Sequence, residues 1–388
     1  MFDFDFYNPT RIIFGKGRLD ELDGLVPAEA RVMITFGGGS AKRSGLIDKA
    51  RAALGARKIV EFGGIEPNPR FETAMRAVEL AKREGIDFLL AVGGGSVIDG
   101  TKFIALASRF EGDPKELLNY GLMPIPPTVA KSAVPLGTIL TLPATGSEMN
   151  SGAVISLGHS KVAVMSALTF PKFSILDPTT TYTLPKAQVA NGIVDAFVHT
   201  TEQYLTFPAG GMVQDRMAEG ILQTLIDIGE KSVAEPENYE IRANHVWCAT
   251  LALNGIVGSG VPQDWATHMI GHELTALFGI DHGRTLAIVL PSLLEVQRTQ
   301  KRAKLLQFAE RVWGIKAVGD EEKITQAIEK TREFFERLGV KTRLSGYGVK
   351  ADQINVVIEQ LKEHGMTALS ESGDITPAVS RTILENAL

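Results

Sequence analysis

Histidines and one aspartate in the second half of the chain are spaced as metal ligands would be. Asp195 and His199 are four residues apart, so on a helix they share one face, one turn apart. Their neighbours are apolar, and a carboxylate is costly to bury there unless it is paired or bound to a cation. His268 and His272 repeat this spacing, and His282 follows a predicted turn that can bring the chain back to the same face.

One carboxylate and three imidazoles suit Zn²⁺ or Fe²⁺, whereas a closed structural zinc site would commonly use thiolates. Spacing alone does not decide which three of the four histidines bind. Cys248 is the single cysteine and lies in an apolar stretch, so we expect a buried thiol rather than a nucleophile. We expect structural roles for His245 and His364, which lack similarly spaced partners, and a turn position for His159. These patterns predict one open metal site.

Two glycine-rich loops in the first half each lie between an apolar run and a helical pattern. Gly93-Gly94-Gly95-Ser96 follows Phe88–Val92, and Gly37-Gly38-Gly39-Ser40 follows Val32–Phe36. A strand that passes through glycines into a helix brings backbone N–H groups towards an anion, with no Cβ in the way. Neither loop has the spaced G-x-G-x-x-G pattern, so the sequence predicts a variant dinucleotide site.

The loop at 37–40 also indicates which dinucleotide binds. An acidic residue after the second strand commonly hydrogen-bonds the ribose 2′-hydroxyl of NAD and would repel a 2′-phosphate. Here glycines and Ser40 hold that place, and Lys42 and Arg43 follow closely. Because a phosphate would be favoured among these groups, the sequence predicts NADPH.

The elements that must position the loops alternate between strand and helix patterns. Such alternation predicts an α/β domain with a largely parallel sheet. The remaining predicted elements are strands at Lys58–Phe62, Val134–Thr141 and Phe173–Leu176, helices at Ala41–Leu54, Phe71–Glu84 and Val97–Ala107, and a hairpin of Val154–Ser156 with Val162–Met165. A short proline-containing loop is predicted at Leu122–Pro127.

The pattern changes after Pro178 and is helical from there to the end. Pro185 suits a helix start, so we predict a dinucleotide-binding α/β domain over residues 1–185 and an all-α metal-binding domain over residues 186–388. Two domains are expected for a chain of 388 residues. We expect the reacting groups to meet in the cleft between them, beyond the carboxyl ends of the parallel strands.

Charge and composition argue against several other classes of protein. The net charge of −5 and the absence of a basic run give no support for nucleic-acid or anionic-membrane binding. The N-terminus carries Asp3 and Asp5 where a signal peptide would carry bases, and no uncharged apolar run approaches the roughly 20 residues of a membrane helix. With a single cysteine, no intrachain disulfide can form, so we predict a cytoplasmic protein.

The sequence resembles the iron-containing (group III) alcohol dehydrogenases essentially from end to end. It is most similar to the bacterial branch of NADPH-dependent butanol dehydrogenases and broad-range aldehyde reductases, which share the loop at 37–40. The motifs that carry the resemblance are Gly93–Asp99, Leu142–Glu148, Leu176-Asp177-Pro178, Asn191–Asp195 with His199, His268–Leu274 and His282-Gly283. One departure is Asp281, which stands where many relatives have proline and could alter loop stiffness and metal retention.

The resemblance implies a Rossmann-like N-terminal domain, a helical C-terminal domain, hence a dehydroquinate-synthase-like architecture, and usually a homodimer. It implies that the metal ligands are Asp195, His199, His268 and His282. His272 would be the non-ligand active-site histidine, a proton relay or a neighbour of the nicotinamide. The positions implied to contact the cofactor are Gly94, Gly95, Ser96, Asp99, Thr138, Thr141, Ser147 and Lys161. Asp99, at the nicotinamide end, is with His272 a catalytic candidate.

A dinucleotide site combined with an open metal site points to hydride transfer. We therefore predict a metal-dependent oxidoreductase that transfers hydride between NADPH and an aldehyde or primary alcohol. The alternatives on the same fold are a polyol (glycerol-type) dehydrogenase and a dehydroquinate-synthase-like lyase, which typically use one carboxylate and only two histidines. A metal-dependent hydrolase would leave the glycine loops unexplained, and a non-catalytic binding protein would have no evident use for an open metal site.

Overall fold

The computed structural model describes residues 1–119, 129–317 and 319–388, and the chain divides into two compact units. One unit is Tyr7–Thr183, and the other combines Met1–Phe6 with Leu184–Leu388. Each unit contains an apolar core of its own. The loop predicted at Leu122–Pro127 lies outside the described residues.

The unit Tyr7–Thr183 is built on a parallel sheet. The strands among its described residues are β1 (Arg11–Phe14), β2 (Arg31–Phe36), β3 (Lys58–Phe62), β4 (Phe88–Gly94), β5 (Leu136–Leu142), β6 (Gly152–Leu157), β7 (Ser160–Met165) and β8 (Phe173–Leu176). Six of them pair in the order β1-β8-β5-β4-β2-β3, and every neighbouring pair is parallel, whereas β6 and β7 form an antiparallel hairpin. The predicted parallel sheet and hairpin are therefore confirmed.

The helices of this unit lie between the strands, as alternation predicts. The helix α4 (Phe71–Glu84) buries Ala74, Val78 and Ala81 on one face. It is followed by Gly85, whose φ of 62° is left-handed. The helices are α1 (Leu22–Leu25), α2 (Ser40–Arg43), α3 (Leu46–Ala53), α4 (Phe71–Glu84) and α5 (Gly95–Ala107).

One expectation for this unit was wrong, and one strand was not predicted. The helix predicted at Ala41–Leu54 is two helices, α2 and α3, because Gly45 between them adopts a left-handed φ of 74° that breaks the helical ladder. The strand β1 was not predicted, since only four residues form it and they pair with β8 alone at the edge of the sheet.

Among the described residues of the second unit, the named secondary-structure elements are all helices. The helix α6 (Lys186–Tyr204) begins directly after Pro185, in agreement with the predicted helix start. None of the described helices combines the length and apolar character needed to cross a bilayer. The helices are α6 (Lys186–Tyr204), α7 (Met212–Ala234), α8 (Tyr239–Ala252), α9 (Ala266–Phe278), α10 (His282–Val296), α11 (Arg302–Arg311), α12 (Asp320–Arg337), α13 (Ile354–Glu363) and α14 (Pro377–Asn386).

Candidate metal centre and cofactor loops

Three imidazole nitrogens converge on one oxygen of Asp195. Its Oδ1 lies 3.6 Å from Nε2 of His199 and 3.7 Å from Nε2 of both His268 and His282. Ligand atoms bound to one divalent ion at about 2.0–2.2 Å lie roughly 3–4 Å apart, so these separations suit shared coordination. The ligand atoms of Asp195, His268 and His282 all lie within 4.8 Å of one another. His199 is not part of that closer group, although its ring stacks on His268 with centroids 4.6 Å apart.

The chemistry of the buried atoms fits a cation at this point. Asp195 is 3% exposed, and its Oδ1 and the Nε2 of His268 are buried without a hydrogen-bond partner. Leaving such atoms unpaired costs about 1–3 kcal/mol each, which a shared metal ion would offset. Burial by itself raises the pKa of Asp195, but the facing imidazoles outweigh it and hold that pKa well below its usual range. The carboxylate is therefore in the ionised form that binds a metal.

Close helix packing brings the last histidine to the others. The turn between α9 and α10 begins at Gly279, whose φ of 66° is left-handed, and α10 begins at His282 itself. A Cβ at Gly283 would lie 2.6 Å from the backbone oxygen of Asn191 on α6, so only glycine allows this approach. The start of α10 thus lies directly against the helix that carries Asp195.

Glu202 is a functional candidate that our reading of the sequence missed. It is 2% exposed on α6, and its Oε2 accepts a hydrogen bond from Nδ1 of His268. Its Oε1 accepts the backbone N–H groups of Thr267 at 2.7 Å and His268 at 3.3 Å. A carboxylate on Nδ1 fixes the tautomer whose Nε2 lone pair faces the metal. The signal was present in the sequence, because Glu202 follows Asp195 by seven residues and shares its helix face.

Replacing Glu202 with glutamine should weaken metal binding while the protein remains folded. The amide keeps the shape of the side chain but removes the charge that orients His268, so we expect the affinity for Zn²⁺ to fall about 10–100-fold. Competition with a chelator of known affinity measures this. Glu219→Gln is the matched control, because Glu219 is a similarly buried glutamate on α7 that pairs with Arg216 and Arg311. Equal loss of affinity in both variants would contradict the role of Glu202.

His272 lies beside the cluster but outside the closer group of ligand atoms. Its half-buried ring has its centroid 5.2 Å from that of His282 and 6.2 Å from that of His268. The geometry brings it next to the proposed ligands, where a proton could be exchanged with a molecule bound at the metal. Its predicted role as the non-ligand histidine stays a prediction.

The other histidines and the cysteine are in environments that suit structural roles. His364 Nδ1 pairs with Glu273 Oε1 at 2.7 Å, and His245 is fully buried, which lowers its pKa to about 3. Burial raises the pKa of the Cys248 thiol to about 12, so a thiolate is not available there. His159 is exposed at the turn of the β6–β7 hairpin.

In the other unit, β4 runs directly into α5 through the predicted glycine loop. Crowding around this turn explains why it consists of glycines, because a side chain at these positions would displace neighbouring side chains. A Cβ would lie 2.5 Å from Val97 at Gly93, 2.8 Å from Leu142 at Gly94 and 2.4 Å from Thr145 at Gly95. Gly94 and Ser96 are half-buried at the start of the thirteen-residue α5, where the first backbone N–H groups of the helix could bind a phosphate.

Asp99 is held by the protein on both of its oxygens. Ser147 donates to Oδ1 at 2.6 Å, and the backbone N–H of Val154 donates to Oδ2 at 2.9 Å. The fully buried Lys102 donates to Ser147 at 2.9 Å, and burial lowers the pKa of Lys102 to about 8. This geometry favours Asp99 and Ser147 as organisers of the loop rather than as groups that exchange protons with substrate.

Asn68 joins two of the predicted cofactor residues and was not predicted itself. Its φ of 56° is left-handed, which asparagine tolerates better than most residues. Its side-chain oxygen accepts a hydrogen bond from Lys161 Nζ at 3.0 Å, and its backbone N–H donates to Ser96 at 3.3 Å. The structure thus brings Ser96, Asn68 and Lys161 together.

Two other predicted cofactor residues, Thr138 and Thr141, lie on β5 and differ in their surroundings. Thr138 is fully buried and donates to Ser174 at 2.7 Å, and its contact with a cofactor stays a prediction. Thr141 lies nearer the carboxyl end of the strand and is half-buried.

The loop Gly37–Ser40 leads into the single-turn helix α2. The side chain of Lys42 is 58% exposed and lies 3.3 Å from Glu61 Oε2, and Arg51 contacts the other oxygen of Glu61. A Cβ at Gly38 would meet nothing within 4 Å, and no acidic residue stands in the loop. A 2′-phosphate bound at this loop would therefore lie near the basic side chains of Lys42 and Arg43.

Comparisons with known proteins agree with the geometry. The family description "Iron-containing alcohol dehydrogenase" matches residues 9–178, and the C-terminal description of the same family matches residues 189–372. The NADPH-dependent aldehyde reductase YqhD of Escherichia coli is 56% identical over the full length of both chains. NADH-dependent butanol dehydrogenase A of Clostridium acetobutylicum is 37% identical and covers 99% of this chain and 98% of its own.

Solved structures show the same relationship. The crystal structure of E. coli YqhD superposes with a TM-score of 0.97 at 56% identity, covering 100% of this chain and 99% of that one. The NADH-dependent butanol dehydrogenase A of Thermotoga maritima superposes with a TM-score of 0.92 at 34% identity, with coverage of 100% and 99%. The predicted fold, a Rossmann-like unit and a helical unit, is thereby confirmed. The chain belongs to the iron-containing alcohol dehydrogenase family.

Proposed function

We propose that this protein is a metal-dependent, NADPH-using aldehyde reductase that interconverts small aldehydes and primary alcohols. The observation that carries the proposal is the convergence of the His199, His268 and His282 nitrogens on Asp195 Oδ1. The 56% identity to an NADPH-dependent aldehyde reductase supports the same reaction and the same cofactor. Polyol dehydrogenases and dehydroquinate-synthase-like lyases typically use one carboxylate and only two histidines. Here three imidazoles face the carboxylate, so the geometry does not favour either alternative.

When bound, a divalent ion would polarise the carbonyl oxygen and NADPH would supply the hydride. One carboxylate and three neutral imidazoles leave a divalent ion with a net charge of +1, so Asp195 holds the metal without cancelling its Lewis acidity. Glu202 keeps His268 in the tautomer that faces the centre. The alcohol also needs a proton, and we assign its transfer to His272, which lies beside His268 and His282.

The test is NADPH and NADH oxidation with a series of aldehydes, using protein stripped of metal and refilled with Fe²⁺ or Zn²⁺. We expect no turnover without metal, restored turnover with at least one of the two ions, and a clear preference for NADPH. Full activity in the metal-stripped protein would contradict the proposal. Equal use of NADH would contradict the cofactor assignment alone.

Replacing Gly38 with aspartate should reduce the preference for NADPH. The new carboxylate fits without strain, because nothing lies within 4 Å of a Cβ there and the backbone is not left-handed. At a separation of about 5 Å from a 2′-phosphate, partly screened repulsion of roughly 1–2 kcal/mol lowers kcat/KM for NADPH about tenfold. Initial rates with NADPH and NADH give the ratio.

Gly24→Asp is the matched control for that experiment. Gly24 is exposed on α1 of the same unit and a Cβ there also meets nothing within 4 Å, so the variant adds the same charge at a different place. A preference unchanged in Gly38→Asp, or changed equally in both variants, would show that the loop 37–40 does not contact the 2′-phosphate.

We further propose that the unit Tyr7–Thr183, which contains the glycine loops, binds the dinucleotide, and that the helical unit, which contains the histidine cluster, binds the metal.

We also propose that the protein acts as a cytoplasmic homodimer. The single cysteine supports the cytoplasmic location, and the usual assembly of the family supports the dimer. Light scattering on the eluted protein measures the mass of the assembly, and a monomer of 41.9 kDa would contradict the dimer.

A further inference from the structure

We propose that Trp265 is a positioning residue of the metal centre, whose indole holds the imidazole planes of His199 and His268 and so slows release of the metal. The inference rests on the proposed ligand set. Trp265 is neither a ligand nor placed to exchange protons, and it acts only through the two histidines.

The indole of Trp265 forms a cluster of three rings with the imidazoles of His199 and His268. Its centroid lies 5.3 Å from that of His268 with an interplanar angle of 71°, and 6.1 Å from that of His199 with an angle of 60°. The two imidazoles themselves stack 4.6 Å apart at 17°. Edge-to-face contacts of this kind are favourable and directional, so the indole restricts rotation of both imidazoles about their χ2 bonds.

The backbone of Trp265 adopts a conformation that is costly for a bulky residue. Its φ of 63° is left-handed, a conformation that bulky side chains rarely adopt. Among the described residues, only Asn68 and Ser370 share this feature without being glycine. Strain of this kind persists only where surrounding structure enforces it, and it concentrates at functional sites.

The residues on both sides of Trp265 are fixed by buried hydrogen bonds. Before it, Asp264 accepts the N–H of Ala266 at 3.0 Å, pairs with Lys301 at 3.0 Å and donates its own N–H to the backbone oxygen of Glu202 at 2.8 Å. After it, the N–H of Thr267 donates to the Glu202 carboxylate. The chain is therefore clamped on each side, and the left-handed residue between the clamps directs its ring at the histidines.

The orientation of the indole is fixed by its own hydrogen bond. Its Nε1 donates to Gln263 Oε1 at 2.9 Å, and Gln263 is anchored in turn to the backbone oxygen of Gly258 at 3.2 Å. This bond favours the ring orientation in which the indole faces the two histidines. A side chain that is strained, clamped and hydrogen-bonded is suited to hold two ligands in fixed orientations.

The first test compares zinc release from the full-length protein carrying Trp265→Ala, Trp265→Gly or Trp265→Phe. Each is loaded with Zn²⁺ and mixed with excess chelator, and release is followed with a colorimetric zinc indicator. We expect the alanine and glycine variants to release zinc about 10–100-fold faster than the wild type. Phenylalanine keeps a ring against the histidines, so its release should stay within a few-fold of the wild type. Trp247→Ala, which removes an indole from α8, is the control.

The second test distinguishes the backbone strain at Trp265 from the contact that its indole makes with the histidines. Glycine adopts a left-handed φ freely and alanine does so only at a cost in free energy, while both remove the indole. In the metal-free protein we therefore expect Trp265→Gly to melt a few degrees above Trp265→Ala. A glycine variant no more stable than the alanine variant would overturn the claim that the backbone is strained.

The outcomes distinguish this inference from the proposed function, because zinc release requires no turnover. Rapid release from the alanine and glycine variants supports the role of Trp265 even if the wild type does not oxidise NADPH. Wild-type release rates in those variants would overturn it. A wild-type protein that binds no zinc or iron would overturn both proposals.

Discussion

Replacing His268 with alanine should leave a folded protein that no longer retains its metal and has lost about 10³-fold or more of its turnover. His268 contributes one of the three nitrogens that face Asp195, and its ring contacts those of His199 and His282. In the variant Glu202 loses the partner of its Oε2 but keeps two backbone N–H donors on its Oε1, so its burial remains partly compensated and the fold should persist. Metal content after gel filtration and kcat with NADPH measure both effects.

His159→Ala serves as the control for metal content, because it removes an exposed imidazole at a hairpin turn in the other unit. Metal content there should equal that of the wild type. If His268→Ala retained a full equivalent of metal, the proposed ligand set would be wrong even if activity were lost.

Replacing His272 with alanine should lower turnover without releasing the metal. His272→Ala should keep its metal and lose about 10²-fold in kcat, because the side chain lies next to the ligands and is assigned proton transfer rather than coordination. The loss should be smaller at low pH, where water and buffer acids supply protons more readily. Metal content and kcat over a range of pH, in buffers of matched ionic strength, measure the two effects.

Comparison of the two histidine variants decides the ligand set. Loss of metal in His272→Ala with retention in another histidine variant would show that the wrong three imidazoles had been chosen. Retention of both metal and rate would remove His272 from the mechanism and leave solvent as the proton donor.

Local sequence patterns were sufficient for most of the fold. Alternation of β-branched runs with amphipathic segments predicted the parallel sheet, because each such run has to be buried on both faces. The four-residue spacing of Asp195 and His199 predicted their shared helix face correctly. Patterns failed where a single backbone angle decides the outcome, as at Gly45, which divides one predicted helix into two.

Contacts between distant segments could not be read from local patterns. Asn68 and Trp265 are ordinary residues in the sequence, and their importance lies in left-handed backbone angles and in partners far along the chain.

Lys301 also has a consequence for how the protein is made. This buried ammonium group bonds the carbonyl of Leu205 at 2.8 Å, Asp264 at 3.0 Å and Glu371 at 2.8 Å, and so ties together segments separated by 166 residues of sequence. During synthesis Asp264 and Lys301 leave the ribosome well before Glu371 does. Until that glutamate arrives, the buried Lys301 lacks one of its two carboxylate partners, so we expect the segment before Trp265 to reach its final packing only after residue 371 has been made.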